Sequence, residues 1–229
     1  SGANKIVIDV TVGKGAFMKN KEDAQKLAEQ MIRIGKLAGR EVRCVLTPMD
    51  EPLGYAVGNS LEVIEAINFL KGNMPKDLKD VVLELGANML QLAGKGENIE
   101  ENKLKMLKNI ENGAAFNKFE EMVKNQGGDI SYLEDTTKFK KSKYTIAVVA
   151  EEDGIVKEIN AEEIGKLACY LGAGRVNKDD KIEPDVGIVL NKKVGDEVMV
   201  NDFLAYICGN DENKVHESEK KILEIYKIS

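Results

Sequence analysis

Residues 6–46 read IVIDVTVGKGAFMKNKEDAQKLAEQMIRIGKLAGREVRCVL, with two β-branched runs on either side of an amphipathic segment. The runs at 6–10 and 42–46 lack polar alternation, which is typical of strands buried on both faces. Between them, apolar residues recur at steps of three and four, Asn20 can cap the helix, and Gly39 can end it. Strand, helix and strand in this order predict a βαβ unit and a parallel or mixed α/β sheet.

The pattern outward from this unit is helical and then changes again. Residues 59–126 carry apolar stripes, with Asn59 and Glu62 at capping-box spacing, and glycines divide the segment into about four helices. A Gly-Gly-Asp turn at 127–129 and a lysine-rich stretch at 138–143 indicate a boundary. Beyond it, strands are predicted at 144–149, 155–159, 187–190, 197–200 and 203–208, with helices at 161–171 and 212–226.

We therefore predict an α/β fold class made of two parts. Residues 1–136 form part of a mixed α/β sheet domain with helices, and residues 137–229 form a small α+β C-terminal module.

The amino-acid composition limits the classes of partner that the protein can have. The chain is 43% hydrophobic and 31% charged, as in an ordinary folded protein. A net charge of −6 argues against nucleic acid as a partner, because a phosphate backbone requires a basic surface. No apolar run reaches the roughly 20 residues that span a bilayer, so we expect no membrane partner. Three separated cysteines in apolar surroundings indicate reduced thiols, and we expect a cytoplasmic protein.

Two loops are candidate ligand sites. The turn at 13–18 follows the first strand, but Met18 replaces the third glycine of a dinucleotide fingerprint, and no Ser or Thr follows a Gly-Lys pair. It is either a structural turn or a turn that lines a ligand. The loop at 50–59 follows the second strand, where open α/β sheets bind ligands, and Glu65 lies on the next helix. Its carbonyls and one carboxylate could hold potassium, sodium or calcium, or the loop is an ordinary one.

Two further motifs point to weaker alternatives. His216 is the only histidine and lies in a charged segment, which indicates a solvated side chain and excludes catalytic triads and multi-histidine metal sites. Residues 187–198 resemble the hairpin of biotinyl and lipoyl carrier domains, which present a modifiable lysine at an exposed turn. Neither Lys192 nor Lys193 has the neighbours such a lysine usually has. A non-catalytic carrier or binding module remains an alternative that an adduct on either lysine would support.

Residues 8–18 and 53–63 together closely resemble the pyrimidine and thymidine phosphorylase family. The resemblance extends to residues 149–176, where Gly-Ile-Val and then Gly-Ala-Gly-Arg recur. It implies a cytoplasmic pentosyltransferase of nucleoside salvage, which uses phosphate to cleave a pyrimidine nucleoside into free base and pentose 1-phosphate. It also implies a homodimer, in which a helical domain that grips the base closes on an α/β domain that grips phosphate.

The resemblance covers about half of the family's pattern. The family's Lys-His-Ser-Thr-Gly-Gly phosphate segment, its base-binding arginine and its Ser-x-x-x-Lys helix would precede Ser1. We therefore expect no catalytic residue in this chain and no activity from it alone. By position, Phe17 matches the residue that packs on the pyrimidine ring. The carbonyls of Leu53 and Ala56 and the carboxylate of Glu65 match a site for potassium, sodium or calcium, and no organic cofactor is implied.

Related enzymes leave two alternatives open. Anthranilate phosphoribosyltransferases are similar in architecture but lack a module such as the one that begins near Tyr144. AMP phosphorylases usually carry an additional N-terminal domain, which this chain cannot reveal.

Overall fold

The computed structural model describes residues 2–229, and Ser1 lies outside the described residues. Contacts divide the chain into two compact units, Ser1–Met49 with Asn68–Gly128, and Asp50–Ile67 with Asp129–Ser229. Residues 50–67 thus pack with the C-terminal part rather than with the sequence that precedes them. The domain boundary predicted between residues 136 and 137 stays a prediction, because a contact unit is not by itself a domain.

The first unit contains the predicted strand, helix and strand, β1 (Lys5–Val12), α1 (Lys21–Leu37) and β2 (Glu41–Pro48). The strands pair in parallel along their whole length, with Val10 opposite Leu46. Asn20 caps α1 by accepting a hydrogen bond from the Asp23 N–H at 2.9 Å, as the sequence predicted. Buried Ala24 and Ala28 of α1 let the helix lie close to the strands.

Four helices follow, in agreement with the sequence: α2 (Asn59–Leu70), α3 (Lys76–Leu92), α4 (Ile99–Glu111) and α5 (Ala114–Asn125). Within the first unit, Arg43 of β2 donates to the side chains of Asn88 and Gln91 on α3. Lys103 of α4 forms an ion pair with Glu84 of α3 at 2.7 Å, and this pairing lowers the pKa of the Glu84 carboxyl.

The second unit is built on a four-stranded antiparallel sheet with the order β3-β6-β8-β4. Its strands are β3 (Ala56–Val57), β4 (Tyr144–Val149), β6 (Gly187–Leu190) and β8 (Phe203–Gly209). A smaller sheet has the order β7-β5-β9, formed by β5 (Gly154–Ile159), β7 (Glu197–Val198) and β9 (Tyr226–Ile228). The helices are α6 (Ser131–Glu134), a 3-10 turn (Thr136–Lys138), α7 (Ala161–Ala168) and α8 (Glu212–Ile225).

One apolar core holds this second unit together. Large aliphatic side chains from both sheets, α7 and α8 are fully buried in it, namely Ile159, Ile164, Ile188, Leu204, Ile207 and Ile222. Each contributes about 1.5–3 kcal/mol relative to exposure in water. The predicted mixed α/β architecture with a C-terminal α+β module is confirmed.

Local details differ from the sequence prediction in three places. The N-terminal hydrogen bond of α2 joins the Gly58 N–H to Glu62 at 3.0 Å, while the Asn59 amide donates to the Ala173 carbonyl instead of capping the helix. The predicted helix at 161–171 ends as a short π-helical segment, Cys169–Ala173, in which Gly172 has a φ of +117°. Strands β3 and β9 were not predicted, because two or three residues carry too little pattern to be recognised.

Candidate functional site

The turn after β1 is fixed by main-chain hydrogen bonds within the first unit. The Gly13 N–H donates to the Met18 carbonyl at 3.0 Å, and the Gly15 N–H donates to the Met49 carbonyl, just beyond β2, at 2.8 Å. Gly13 has a φ of +133°, which a residue with a side chain rarely adopts. These bonds hold the turn at the carboxyl ends of two parallel strands, the edge at which open α/β sheets bind ligands.

Phe17 projects from this fixed turn into solvent. Its side chain is 91% exposed, whereas the neighbouring Ala16 is buried. A large aromatic ring gains nothing from exposure to water and is suited to stacking on another flat, apolar surface. The structure places Phe17 on the surface of the turn, and its contact with a ligand stays a prediction.

Beneath the turn, a polar pair joins the strands. The Thr47 hydroxyl donates to the Asp9 carboxylate at 2.6 Å, and Thr47 is buried. Neither residue was predicted from the sequence to have a role. The available signal was a carboxylate and a hydroxyl inside otherwise apolar strand runs, since buried polar groups require partners.

In the second unit, Glu65 of α2 lies against the loop at 50–58. Its Oε1 accepts a hydrogen bond from the Tyr55 N–H at 2.7 Å. A Cβ built on Gly54 would lie 2.3 Å from Glu65 Oε2, and Gly54 has a φ of +69°. The loop can approach the carboxylate this closely only because residue 54 is glycine. The structure thus brings the predicted carboxylate together with the predicted carbonyl loop.

Strand geometry sets the direction of the Ala56 carbonyl. The Tyr55 carbonyl accepts from the Leu190 N–H at 2.7 Å, and Ala56 and Val57 pair with Val189 and Ile188 of β6. Because successive residues of an edge strand alternate direction, Ala56 presents its carbonyl away from β6. Leu53 lies half-buried in the preceding bend.

Lys193, a residue that the sequence offered only as a carrier lysine, contacts the same loop. Its side chain leaves the turn after β6, and the residue is only 9% exposed. Its Nζ donates to the carbonyls of Pro52 and Gly54, the latter at 2.9 Å, and lies 3.6 Å from the Glu51 carboxylate. Lys192 is also engaged, with Asp202 at 3.1 Å. Neither lysine has the exposed setting that carrier modification requires.

The donor set suits a hard cation. Carbonyl and carboxylate oxygens are the ligands that potassium, sodium and calcium prefer. Among residues 2–229, no group of three or more His, Cys, Asp or Glu side chains could hold a metal ion. Any cation at this loop would therefore rely largely on main-chain carbonyls, and the close approach of Gly54 to Glu65 fits such a site.

The histidine and the three cysteines lie in surroundings that do not indicate a catalytic or metal site. His216 has a side chain that is 62% exposed and lies 3.8 Å from Glu219, as expected for a solvated histidine. Cys44, Cys169 and Cys208 are free thiols, and burial raises the pKa of Cys44. Across the described part of the chain, no helix is both long and apolar enough to cross a membrane.

Sequence comparisons identify the two parts of the chain. Residues 1–116 match a family described as "Glycosyl transferase family, a/b domain", and residues 155–229 match "Pyrimidine nucleoside phosphorylase C-terminal domain". The second match covers most of the module that anthranilate phosphoribosyltransferases were expected to lack.

Relatives that align with almost the whole chain are named pyrimidine-nucleoside phosphorylases. A pyrimidine-nucleoside phosphorylase of Bacillus subtilis (strain 168) is 47% identical over all 229 residues, which cover 53% of that protein. Two pyrimidine-nucleoside phosphorylases of Staphylococcus aureus, from strains bovine RF122 / ET3-1 and USA300, are each 44% identical over 222 residues. These cover 97% of this chain and 51% of each relative.

The chain spans about half the length of the curated relatives it matches. Its α/β part and its C-terminal part match consecutive families in the order that the fold displays. The chain therefore belongs to the glycosyl transferase family with this α/β domain, and its C-terminal part matches the C-terminal domain of pyrimidine nucleoside phosphorylases.

Proposed function

We propose that this chain contributes the second half of a pentosyltransferase that cleaves pyrimidine nucleosides with inorganic phosphate, giving free base and pentose 1-phosphate. The observation that carries the proposal is the 47% identity to a pyrimidine-nucleoside phosphorylase over all 229 residues. The exposed aromatic ring on the fixed turn after β1 supports it, because a nucleobase presents the flat surface that such a ring can contact.

In this proposal, Phe17 orients the pyrimidine. The main-chain bonds of Gly13 and Gly15 fix the turn before ligand arrives, so little ordering remains to be done on binding. Phe17 carries no proton or charge for the reaction, so it is a binding residue. Its removal should weaken nucleoside binding more than it slows the chemical step.

The phosphate-binding groups are proposed to lie outside these 229 residues. The phosphate segment implied by the family resemblance begins with Lys-His, and the only histidine here, His216, follows Val215. Phosphorolysis requires an anion held by fixed donors beside a sugar that develops positive charge while the base departs. We propose that the chain alone lacks this arrangement and is inactive, and that the complete enzyme acts as a homodimer.

A cation is proposed to bind the loop after β2. The carbonyls of Leu53 and Ala56 and the carboxylate of Glu65 would hold it, and its chemistry is electrostatic, neutralising Glu65 and ordering the loop. Lys193 already places one positive charge against the same loop. The Lys193 ammonium reduces the negative potential that the carboxylates create at this loop. We therefore propose a monovalent ion, potassium or sodium, rather than calcium.

The test is phosphate-dependent release of uracil from uridine and of thymine from thymidine by a complete enzyme that contains these residues. Phe17→Ala should raise KM for the nucleoside about fivefold and change kcat less, since a stacked aromatic ring contributes on the order of 1 kcal/mol. Lys26→Ala, on the exposed face of α1, is the matched control and should leave both constants unchanged. Hydrolysis without phosphate, or no cleavage at all, would reject the proposal.

A further inference from the structure

Lys193 is a buried lysine for which the proposed reaction has no use. The main chain of the turn after β6 holds the residue in place, because its N–H donates to the Asp196 carboxylate at 2.7 Å. Only 9% of the residue is exposed. A buried ammonium is tolerated when it is paired and hydrogen-bonded, so the partners of Lys193 show what holds it there.

Four residues that its ammonium contacts belong to one segment, the loop at 51–55. The Nζ donates to the Pro52 and Gly54 carbonyls and lies 3.6 Å from the Glu51 carboxylate. Glu51 also accepts from the Val194 N–H at 3.0 Å, so Val194 as well as Lys193 joins the turn to the loop. The Nζ lies 5.9 Å from the centre of the Tyr55 ring.

We propose that the Lys193 ammonium is a fixed cation of the 51–55 loop and a positioning residue for Glu65. By holding the Gly54 carbonyl, it sets the peptide whose N–H, that of Tyr55, donates to the Glu65 carboxylate. Charge-assisted bonds of this kind are stronger than neutral ones, and substitution of Lys193 removes the charged donor that these buried carbonyls share. This inference concerns the conformation of the loop and goes beyond the exchangeable cation of the proposed function.

Substitution of Lys193 tests the role of the charge. Lys193→Met keeps an unbranched apolar stem and removes the ammonium. Hydrogen exchange of the Tyr55 N–H, measured by NMR on the 229-residue chain, should accelerate by about tenfold or more. Lys192→Met is the matched control, because Lys192 belongs to the same turn but bonds to Asp202 and Glu197. It should leave exchange at Tyr55 unchanged.

Chemical rescue distinguishes the effect of the Lys193 ammonium from the effect of side-chain packing. Lys193→Ala removes three methylene groups and the ammonium, which together correspond to propylammonium. Added propylammonium should slow Tyr55 exchange in Lys193→Ala toward the wild-type rate, whereas tetramethylammonium, which has no N–H to donate, should not. Wild-type protein should respond to neither ion. Equal effects of the two ions, or unaltered Tyr55 exchange in Lys193→Met, would overturn the proposal.

One measurement needs no variant and covers the case in which the substituted chains fail to fold. Brief acetylation of the wild-type chain, followed by peptide mass spectrometry, should label Lys193 at least about tenfold more slowly than exposed Lys26. Equal labelling would show that the ammonium is not held by the loop and would overturn the proposal. None of these readouts depends on phosphorolysis, so they remain valid if the proposed enzyme function fails.

Discussion

Gly54→Ala should destabilise the second unit through a collision with Glu65. At a φ of +69°, alanine costs about 1–2 kcal/mol relative to an unstrained backbone. The new Cβ would lie 2.3 Å from Glu65 Oε2, so the carboxylate must move away from the Tyr55 N–H. Loss of that charged hydrogen bond adds about 1.5–3 kcal/mol. Alanine also restricts the unfolded chain more than glycine does, which offsets about 0.4–1 kcal/mol of this cost. The free energy of unfolding should therefore fall by about 2–4 kcal/mol.

Tyrosine fluorescence during urea unfolding measures this loss selectively. The chain has six tyrosines and no tryptophan, and all six lie in the second unit. In a Glu65→Ala background, Gly54→Ala should cost only about 1 kcal/mol, because the backbone strain remains while the collision is gone. Gly195→Ala, at a φ of +96° with no atom within 4 Å of the added Cβ, is the control for strain alone. An equal cost of Gly54→Ala with and without Glu65 would refute the reasoning.

Three further predictions follow from the surroundings of single residues. Tyr226→Phe should destabilise the second unit by about 1–3 kcal/mol in the same urea assay, because the buried hydroxyl donates to the Lys192 and Leu204 carbonyls; an unchanged midpoint would contradict this. Burial alone would raise the pKa of Asp185, but hydrogen bonds from Lys140 and Asn210 outweigh it and hold the pKa below its usual value. The lowered pKa means that the ionised Asp185 carboxylate stabilises the fold above about pH 4, and that this contribution is lost as the pH falls through the folded pKa. An Asp185→Asn variant should therefore show a smaller drop in melting temperature on acidification. In the folded chain, Cys44 should react with iodoacetamide more slowly than free cysteine, since burial raises its pKa, and mass spectrometry of the labelled peptide would detect a faster reaction.

Much of the fold could be predicted because its elements carry strong local signals. The β-branched runs at 6–10 and 42–46 and the Asn20 cap define β1, α1 and β2 to within one or two residues. The helices α2 to α5 also follow from apolar periodicity and glycine stops. In contrast, Asn59 was assigned to a capping box by spacing, whereas its amide instead bonds the distant Ala173 carbonyl. Tertiary contacts of this kind leave no local pattern.

The parts of the candidate site that depend on local sequence could be predicted. The turn that bears Phe17 and the loop that meets Glu65 were both located from strand ends and glycines. The contact of Lys193 with this loop was not predicted, because 139 residues separate it from the Gly54 carbonyl. The pairing of β3 with β6, which brings residues 50–67 into the second contact unit, was not predicted for the same reason, because it depends on distant sequence.

The most direct test of the central claim is a mass balance with uridine and inorganic phosphate. A complete enzyme that contains these residues and the purified 229-residue chain would be assayed side by side. We predict that the complete enzyme forms uracil and pentose 1-phosphate in equal amounts, only when phosphate is present, and that the chain alone forms neither. Uracil release without pentose 1-phosphate, or phosphorolysis by the 229-residue chain alone, would contradict the account.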